Sequence, residues 1–242
     1  GIFRDGGAGS LAKSRFRKRR KTLMQAEDKL MVLTGVPYGP GAETMWTYAH
    51  CPTYQEPTIM YLTGVNQSKV LLLLDPGAKD SDEILFVAKK NPSMEFWDGL
   101  RFGVGDAKSV AEVKRVTGIR EVRDIDEFDQ VLLERLRRRR KKVVGTFWLQ
   151  SQVGKRAKKV TTDHNWKFKK RIESVVKKSK GPKVEVVNIM KTHFDLRLPL
   201  DKYDVANTHK AQKITGKAFE ETLQQFGGFK NKIDYNTEVK PI

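Results

Sequence analysis

The stretch that most constrains the fold is the uninterrupted apolar run VLLLL at residues 70–74, which Asp75 ends. This run has the length of a β-strand, and it is too short to span a membrane. A strand that is apolar at every position is typical of the buried centre of a sheet. A second apolar run, EILFVA at 83–88, follows after a polar loop. The two runs therefore predict neighbouring strands of a β-meander, with 70–74 at its centre.

Other segments supply the rest of an alternating pattern. We predict further strands at 58–65, which would begin the meander, and at 121–125, 143–149 and 183–189, and a helix that runs into a strand at 22–34. Amphipathic helices are predicted at 106–118, 126–140, 161–179 and 199–227. Because strands and helices alternate, the predicted fold class is α/β: a mixed β-sheet flanked by helices, with a basic N-terminal arm and a C-terminal helix.

The length of 242 residues suits one large domain or two small ones. Residues 1–21 are rich in Gly and then basic, so we expect a disordered arm there. The main domain is expected at 22–198, followed by a helix and tail at 199–242. Apolar runs long enough for a membrane span are absent from the sequence. The single cysteine, Cys51, favours a reducing compartment such as the mitochondrial matrix, with the cytoplasm as the alternative.

The net charge of +18 is unevenly distributed. Residues 135–191 contain 20 Lys or Arg and 3 Asp or Glu, and residues 1–30 contain 9 and 3, whereas residues 31–134 contain 10 and 16. Such a distribution is typical of proteins with a polyanionic partner, most often nucleic acid. A basic run can also be a solvated helix face or a nuclear-localisation signal. We favour RNA binding, because the basic residues are numerous and aromatic residues are interleaved with them.

The candidate RNA-binding residues lie in the N-terminal arm, in the run RRRRKK, in the segment that follows it and on the predicted helix 161–179. They are Arg17, Lys18, Arg19, Arg20, Lys21, Arg137, Arg138, Arg139, Arg140, Lys141, Lys142, Lys155, Arg156, Lys158, Lys159, Lys167, Lys170, Arg171, Lys177 and Lys178. We expect their contacts to be mostly to phosphate, so affinity for RNA would depend strongly on salt.

A more specific motif is the string NPSMEFWDGLRFG at residues 91–103, which follows the predicted strand 83–88. With the segment IMYLTGVNQSKVLLLLD at 59–75, it resembles the N-terminal domain of aminopeptidase P, a domain shared with prolidase and creatinase, and is most similar to the mitochondrial type. The residues that match the family string are Pro92, Ser93, Glu95, Trp97, Asp98, Gly99, Arg101 and Gly103. The resemblance extends over roughly residues 22–220 and is weakest between 135 and 185.

The resemblance implies a domain that precedes a metal-dependent catalytic domain. In this family two Asp, one His and two Glu hold a pair of divalent ions, usually manganese, which activate water. The segment 201–223 resembles the helix that opens the catalytic domain, and the five ligands lie downstream of it. We therefore expect no catalytic residue, no metal ligand and no cofactor in this chain; manganese is implied only together with a catalytic domain. The four histidines, His50, His164, His193 and His209, show no metal-binding spacing.

Two interpretations of Trp97 remain open. In aminopeptidase P the N-terminal domain assists oligomerisation, and the matching Trp can reach a neighbouring subunit's substrate site. The resemblance implies this role for Trp97, and as a further candidate for Arg101, and it leaves a homodimer open. Alternatively, Asp98 caps a turn, Gly99 supplies an unusual backbone angle and Trp97 packs as a fold element. We favour the structural interpretation.

Three functions follow from these features. The first is a non-catalytic RNA-binding pseudoenzyme, a component of a mitochondrial ribosome or a similar ribonucleoprotein, whose partners are RNA, foremost rRNA, and neighbouring proteins. The second is the N-terminal part of a manganese-dependent Xaa-Pro aminopeptidase. The third, a histone-binding relative, ranks last because a histone binder should be acidic. We expect the first, since peptide cleavage has no use for the basic segment, and we expect no membrane partner.

Overall fold

The computed structural model describes residues 9–35, 56–98, 101–148, 164–178 and 183–227. The strands are β1 (Leu30–Thr34), β2 (Val70–Leu74), β3 (Glu83–Val87), β4 (Glu121–Asp124), β5 (Val143–Thr146) and β6 (Glu185–Asn188). The helices are α1 (Gly9–Ala26), α2 (Pro57–Thr63), α3 (Pro92–Asp98), α4 (Ala107–Thr117), α5 (Phe128–Arg138), α6 (His164–Lys178), α7 (Met190–Arg197) and α8 (Lys202–Gly227). The chain divides into two compact units, Gly1–Leu196 and Arg197–Ile242.

The strands form one mixed sheet in the order β4-β3-β2-β1-β5-β6. Strand β2 is antiparallel to both of its neighbours, and the other pairs, β3 with β4, β1 with β5 and β5 with β6, are parallel. Leu73 of β2 lies opposite Val32 on one side and Ile84 on the other. The apolar run is therefore at the centre of the sheet, and the predicted α/β fold with a mixed sheet flanked by helices is confirmed.

Helices cover both faces of this sheet. Because successive strand residues point to opposite faces, the single run of β2 contributes to two cores. Leu72 and Leu74 pack in the core that contains Leu23 of α1 and Val113 of α4, together with side chains of α2 and α7. Residues of the second core come from the other face of the sheet and from α5 and α6; they are Leu71, Leu73, Phe86, Phe128, Val131, Leu132, Leu136, Phe168 and Ile172, among others.

The predicted strand at 58–65 is wrong, because these residues form α2. The helix is capped at both ends: the side chain of Glu56 accepts hydrogen bonds from the backbone N–H groups of Thr58 (2.7 Å) and Ile59 (3.1 Å), and Pro57 occupies the first turn. At the other end Gly64 adopts φ 72° and donates its N–H to a carbonyl of the helix. The capping signals at 56, 57 and 64 outweigh the β-propensity of the apolar residues between them.

The expected disorder of residues 1–21 is wrong for residues 9–21, which belong to α1; residues 1–8 lie outside the described part. The buried positions of α1 are Phe16, Arg20 and Leu23, and Glu27, directly after its last residue, continues the helical spacing. Two of these four residues are charged, so a search for apolar periodicity does not detect this helix. Phe16 packs on Gly64, where an added Cβ would lie 2.4 Å from the ring.

The second unit contains α8, whose range, Lys202–Gly227, nearly matches the helix predicted at 199–227. Its large apolar side chains are exposed: Ile214 is 63% exposed, and Phe219 and Leu223 are each 66% exposed. In the part of the chain that the structure describes, no helix is long and apolar enough to cross a membrane.

Candidate functional site

The family motif at 91–103 begins just after the carboxyl end of β3. Residues 92–98 form α3, and the chain then returns to the strand, where Val104 forms a parallel bridge with Lys89. The return brings Gly103 close to the preceding backbone. An added Cβ at Gly103 would lie 2.7 Å from the backbone nitrogen of Lys90 and 3.0 Å from the carbonyl oxygen of Ala88. The glycine of the motif is therefore required by this close approach of two backbone segments.

Side chains from the loop before β2 hold the returning segment in place. Gln67 accepts a hydrogen bond from the N–H of Phe102 (2.7 Å) and donates one to its carbonyl (2.9 Å). Arg101 donates to the hydroxyl of Ser68 (3.0 Å), and its own backbone N–H donates to Glu95 (3.0 Å). The side chains of Glu95 and Arg101 thus serve to fold the loop.

The remaining motif residues are only partly described. Trp97 and Asp98 are the last two residues of α3, but their side chains and the whole of Gly99 lie outside the described part. The structural role of Trp97 therefore stays a prediction, as does its role at a second subunit. Its neighbour Phe96 is 79% exposed, so α3 presents a large apolar side chain of the motif string to solvent.

The basic residues of α1 are not equivalent. Arg20 is completely buried; its Nε and Nη2 each donate to Glu83 at 3.0 Å, and its Nη1 donates to the carbonyl of Leu62 at 2.8 Å. The prediction that Arg20 contacts RNA is wrong, because a buried guanidinium with these partners cannot reach phosphate. Arg19 stacks on the ring of Tyr61, 4.0 Å from its centroid. Exposed basic side chains of this cluster are Arg17, Lys18 and Lys21.

The run RRRRKK also contains both side chains with partners inside the protein and side chains that are exposed. Arg138 pairs with Asp80 at 3.0 Å, and Arg139 pairs with Asp75, whose side chain is 6% exposed. Lys142 donates to carbonyls at the C-terminal end of α5. The remaining members of the run, Arg137, Arg140 and Lys141, are exposed. Counting charge along the sequence missed the aspartates because they lie about 60 residues away in the chain.

The surroundings of Asp80, which include the side chains of two arginines, lower the pKa of its carboxyl group. A backbone hydrogen bond from Ser81 is the largest cause, and the nearby charge of Arg135 and the hydrogen bond from Arg138 add to it. Together they outweigh desolvation and lower the pKa of Asp80 from 3.8 to about 2.

Three basic side chains of helix α6 form ion pairs within the protein. Lys169 and Lys170 pair with Glu173, and Arg171 pairs with Asp129 at 2.8 Å. Trp166 is buried, with Lys169 Nζ 4.6 Å from its ring centroid. The other candidates on this helix, Lys167, Lys177 and Lys178, are exposed, whereas Lys155, Arg156, Lys158 and Lys159 lie outside the described residues.

The acidic cluster at 124–129 has a structural role. Asp124 and Glu127 form a capping box around the 3₁₀ turn Ile125–Glu127 that precedes α5. Among the residues that the structure describes, no group of three or more His, Cys, Asp or Glu could hold a metal ion. Of the histidines, His193 is buried and packs edge-on against Tyr61 and Phe147.

Comparison with known proteins shows where this architecture occurs. The sequence matches the family model "Aminopeptidase P, N-terminal domain" over residues 16–144, which is more than half of the chain. It is 31% identical over 102 residues to intermediate cleaving peptidase 55 of Schizosaccharomyces pombe. That match covers 41% of this chain and 20% of the relative.

Solved structures of aminopeptidase P share the fold. The Escherichia coli enzyme with the inhibitor Pro-Leu superposes with a TM-score of 0.61 at 18% identity, covering 86% of this chain and 43% of that one. Proline aminopeptidase P II of Yersinia pestis gives a TM-score of 0.62 at 17% identity, covering 87% and 44%. Aminopeptidase PepP of Pseudomonas aeruginosa gives 0.56 at 20% identity, covering 80% and 40%. The chain spans less than half the length of these proteins.

These matches overturn one prediction and confirm another. The classification as an RNA-binding, ribosomal protein is wrong, since the family found is that of a peptidase domain and nothing in the comparisons connects it with RNA. The charge that suggested RNA is partly used within the fold, as Arg20, Arg139 and Arg171 show. The resemblance carried by residues 91–103 is confirmed: the chain belongs to the family of the aminopeptidase P N-terminal domain.

Proposed function

We propose that this chain is the N-terminal, non-catalytic part of a peptidase of the aminopeptidase P family, and that it supports a catalytic domain that removes residues from the N-terminal end of polypeptides. The observation that carries the proposal is the coverage of the match. The aminopeptidase P structures cover 80–87% of this chain, whereas the chain covers 40–44% of them. This is the relation expected between one domain and a two-domain enzyme.

The exposed side chains of α8 support this proposal. Val205, Phe219 and Leu223 lie on one side of the helix, and Ile214 lies on the other. A helix with large apolar residues on two sides is typical of one that packs against more than one neighbour. The resemblance of 201–223 to the first helix of the catalytic domain supplies that neighbour. We therefore propose that α8 opens the catalytic domain and is buried when that domain is present.

The chemistry of cleavage would then belong to the catalytic domain. Manganese is proposed as the cofactor only together with that domain. The mitochondrial matrix remains a prediction for the location, and a homodimer remains a prediction for the assembly.

Peptidase assays with and without the catalytic domain test the proposal. The chain alone and the chain joined to the sequence that follows it in its natural gene are each assayed with an Xaa-Pro peptide and manganese. We expect no turnover by the chain alone and chelator-sensitive turnover by the longer protein. Chelator-sensitive turnover by the chain alone, persisting through further purification, would contradict the proposal. So would a folded, manganese-loaded longer protein that does not cleave the peptide.

A further inference from the structure

A polar cleft with a volume of about 660 Å³ lies at the amino ends of β3 and β4. It is at the opposite end of β3 from the family motif. Its walls come from α1, from the loop between β2 and β3, from the end of α4 and from the start of β4. All of the lining residues lie between positions 17 and 123, so the cleft is part of the domain that matches the family model.

Six cationic side chains line this cleft. Arg123 pairs with Glu121, and the other five, from four separate parts of the fold, are Arg17, Lys21, Lys79, Lys114 and Arg120. Arg17, Lys21 and Met24 follow one another at helical spacing, so the side of α1 next to its buried face is turned toward the cleft. Among the described residues, none of the five cations forms an ion pair or a side-chain hydrogen bond.

The carboxylates of the cleft, in contrast, are mostly neutralised by other arginines. Glu83 is paired with the buried Arg20, and Asp80 is paired with Arg135 (2.6 Å) and Arg138 (3.0 Å). Glu121 accepts a hydrogen bond from Arg123 at 2.6 Å. Asp82 is the remaining acidic residue of the lining. The charge that is left uncompensated in the cleft is therefore strongly positive.

The shape and composition of the cleft limit the ligand that fits it. Uncompensated like charges around a concavity repel one another and concentrate anions from solution. Lys and Arg donate charge-assisted hydrogen bonds that suit phosphate oxygens. None of the lining residues is aromatic, so the described lining has no surface on which a nucleic-acid base could stack. Apolar lining is confined to a few side chains such as Met24 and Val122.

We propose that this cleft is a binding site for a compact ligand with two or more adjacent phosphate groups. The ligand is a free polyphosphate compound or the headgroup of a phosphorylated lipid, since both present the same oxygens. Arg17 and Lys21 of α1, together with Lys114 of α4 and Arg120 before β4, contact the phosphates. This property goes beyond the supporting role proposed above, and its test requires no catalytic domain.

Titration with inorganic tripolyphosphate at low ionic strength tests the site. The variant Lys21→Gln/Arg120→Gln removes one cation from α1 and one from the segment before β4, and the control variant Lys177→Gln/Lys178→Gln removes two exposed cations of α6 outside the cleft. A lost charged hydrogen bond costs about tenfold in affinity, so we expect about a hundredfold weaker binding by the first variant. The control variant should bind like the parent protein. If the first variant does not fold, Lys79→Gln in the exposed loop replaces it, with about tenfold weaker binding expected.

Two further arms distinguish the source of the phosphates. Vesicles of phosphatidylcholine with phosphatidylinositol bisphosphate are compared with phosphatidylcholine vesicles alone. Saturable binding of tripolyphosphate, or of the phosphorylated vesicles, that the cleft variant loses and the control variant keeps supports the site and identifies the source. Three results would overturn it: no saturable binding of either ligand, equal weakening by both variants, or an RNA oligonucleotide that binds more tightly than tripolyphosphate with the same dependence on Lys21 and Arg120.

Discussion

Two basic clusters of this protein look alike in sequence, but their arginines lie in different environments in the fold. In the first, at 17–21, Arg20 lies in the core and forms a bidentate ion pair with Glu83, whose side chain is only 11% exposed. In the second, at 137–142, Arg138 forms an ion pair with Asp80, and both side chains are more than half exposed. A count of charges therefore describes neither cluster. The position of each residue on its helix and the location of its partner decide whether a cation is structural or free to bind a ligand.

The energetic difference follows from the solvent around each pair. Removing one partner of a buried pair leaves a charge without compensation in a medium of low dielectric, which costs about 3–5 kcal/mol. An exposed pair is screened by water and salt, and is worth about 0–1 kcal/mol. Substitutions in the two clusters therefore test the comparison directly.

The largest effect is expected from Arg20→Met. The substitution leaves Glu83 buried and unpaired, so the free energy of unfolding should fall by about 3–5 kcal/mol in urea denaturation. Arg17→Met, three residues earlier on the same helix and exposed, is the matched control and should change stability by less than about 0.5 kcal/mol. The double variant Arg20→Met/Glu83→Leu should recover much of the loss. Equal stability of Arg20→Met and the parent protein would contradict the stabilising role of this buried pair.

An intermediate effect is expected from Arg139→Gln in the second cluster. Arg139 is 16% exposed and pairs with Asp75, which is 6% exposed, and Arg135 lies 3.6 Å from the same carboxylate. Because Asp75 keeps this second cation, the loss should be about 1.5–3 kcal/mol, smaller than for Arg20. Arg140→Gln, its exposed neighbour, serves as the control for the loss of one charge. A loss for Arg139→Gln as large as that for Arg20→Met would remove the distinction between the two clusters.

A smaller effect on stability is expected when the pH is lowered. The pKa of Asp80 is about 2 in the folded protein, below its ordinary value of 3.8. The ionised carboxylate therefore stabilises the fold fully above about pH 4, and this stabilisation is lost as the pH falls toward 2. The difference in stability between the parent protein and Asp80→Asn should therefore shrink over this interval. Because Asp80 is half exposed, the effect should stay below about 1 kcal/mol. Urea denaturation of both proteins at pH 5, 4, 3 and 2 measures it; a difference that stays constant would contradict the assignment.

The smallest effect is expected from Arg138→Gln, which should destabilise the protein by less than about 1 kcal/mol, an effect that should vanish in high salt. Thermal unfolding of the parent protein and the variant at low and high salt is sufficient to measure it. A loss above 2 kcal/mol that persists in high salt would mean that the Arg138–Asp80 pair is as important as the buried one.

Local sequence patterns predicted much of the fold correctly. The apolar runs of β2 and β3 placed the centre of the sheet, and the amphipathic periods of α4, α5 and α6 placed three covering helices. The string at 91–103 identified the family. For α2 the decisive signals, Glu56, Pro57 and Gly64, were present in the sequence and belong to known capping chemistry. They were overlooked because the apolar residues between them also suit a strand.

Features with a local pattern can be read directly from the amino-acid sequence: a buried strand from a run of apolar residues, a helix from a period of 3.6, and a family from a motif. The roles of the charged residues, in contrast, become clear only in the folded protein. Arg20 meets Glu83 from 63 positions away, and Arg139 meets Asp75 from 64, and no local period encodes either distance. This difference arises because the energy of a charge depends on its burial and on its partners. Both are set by which elements pack together, and not by the neighbours of a residue along the chain.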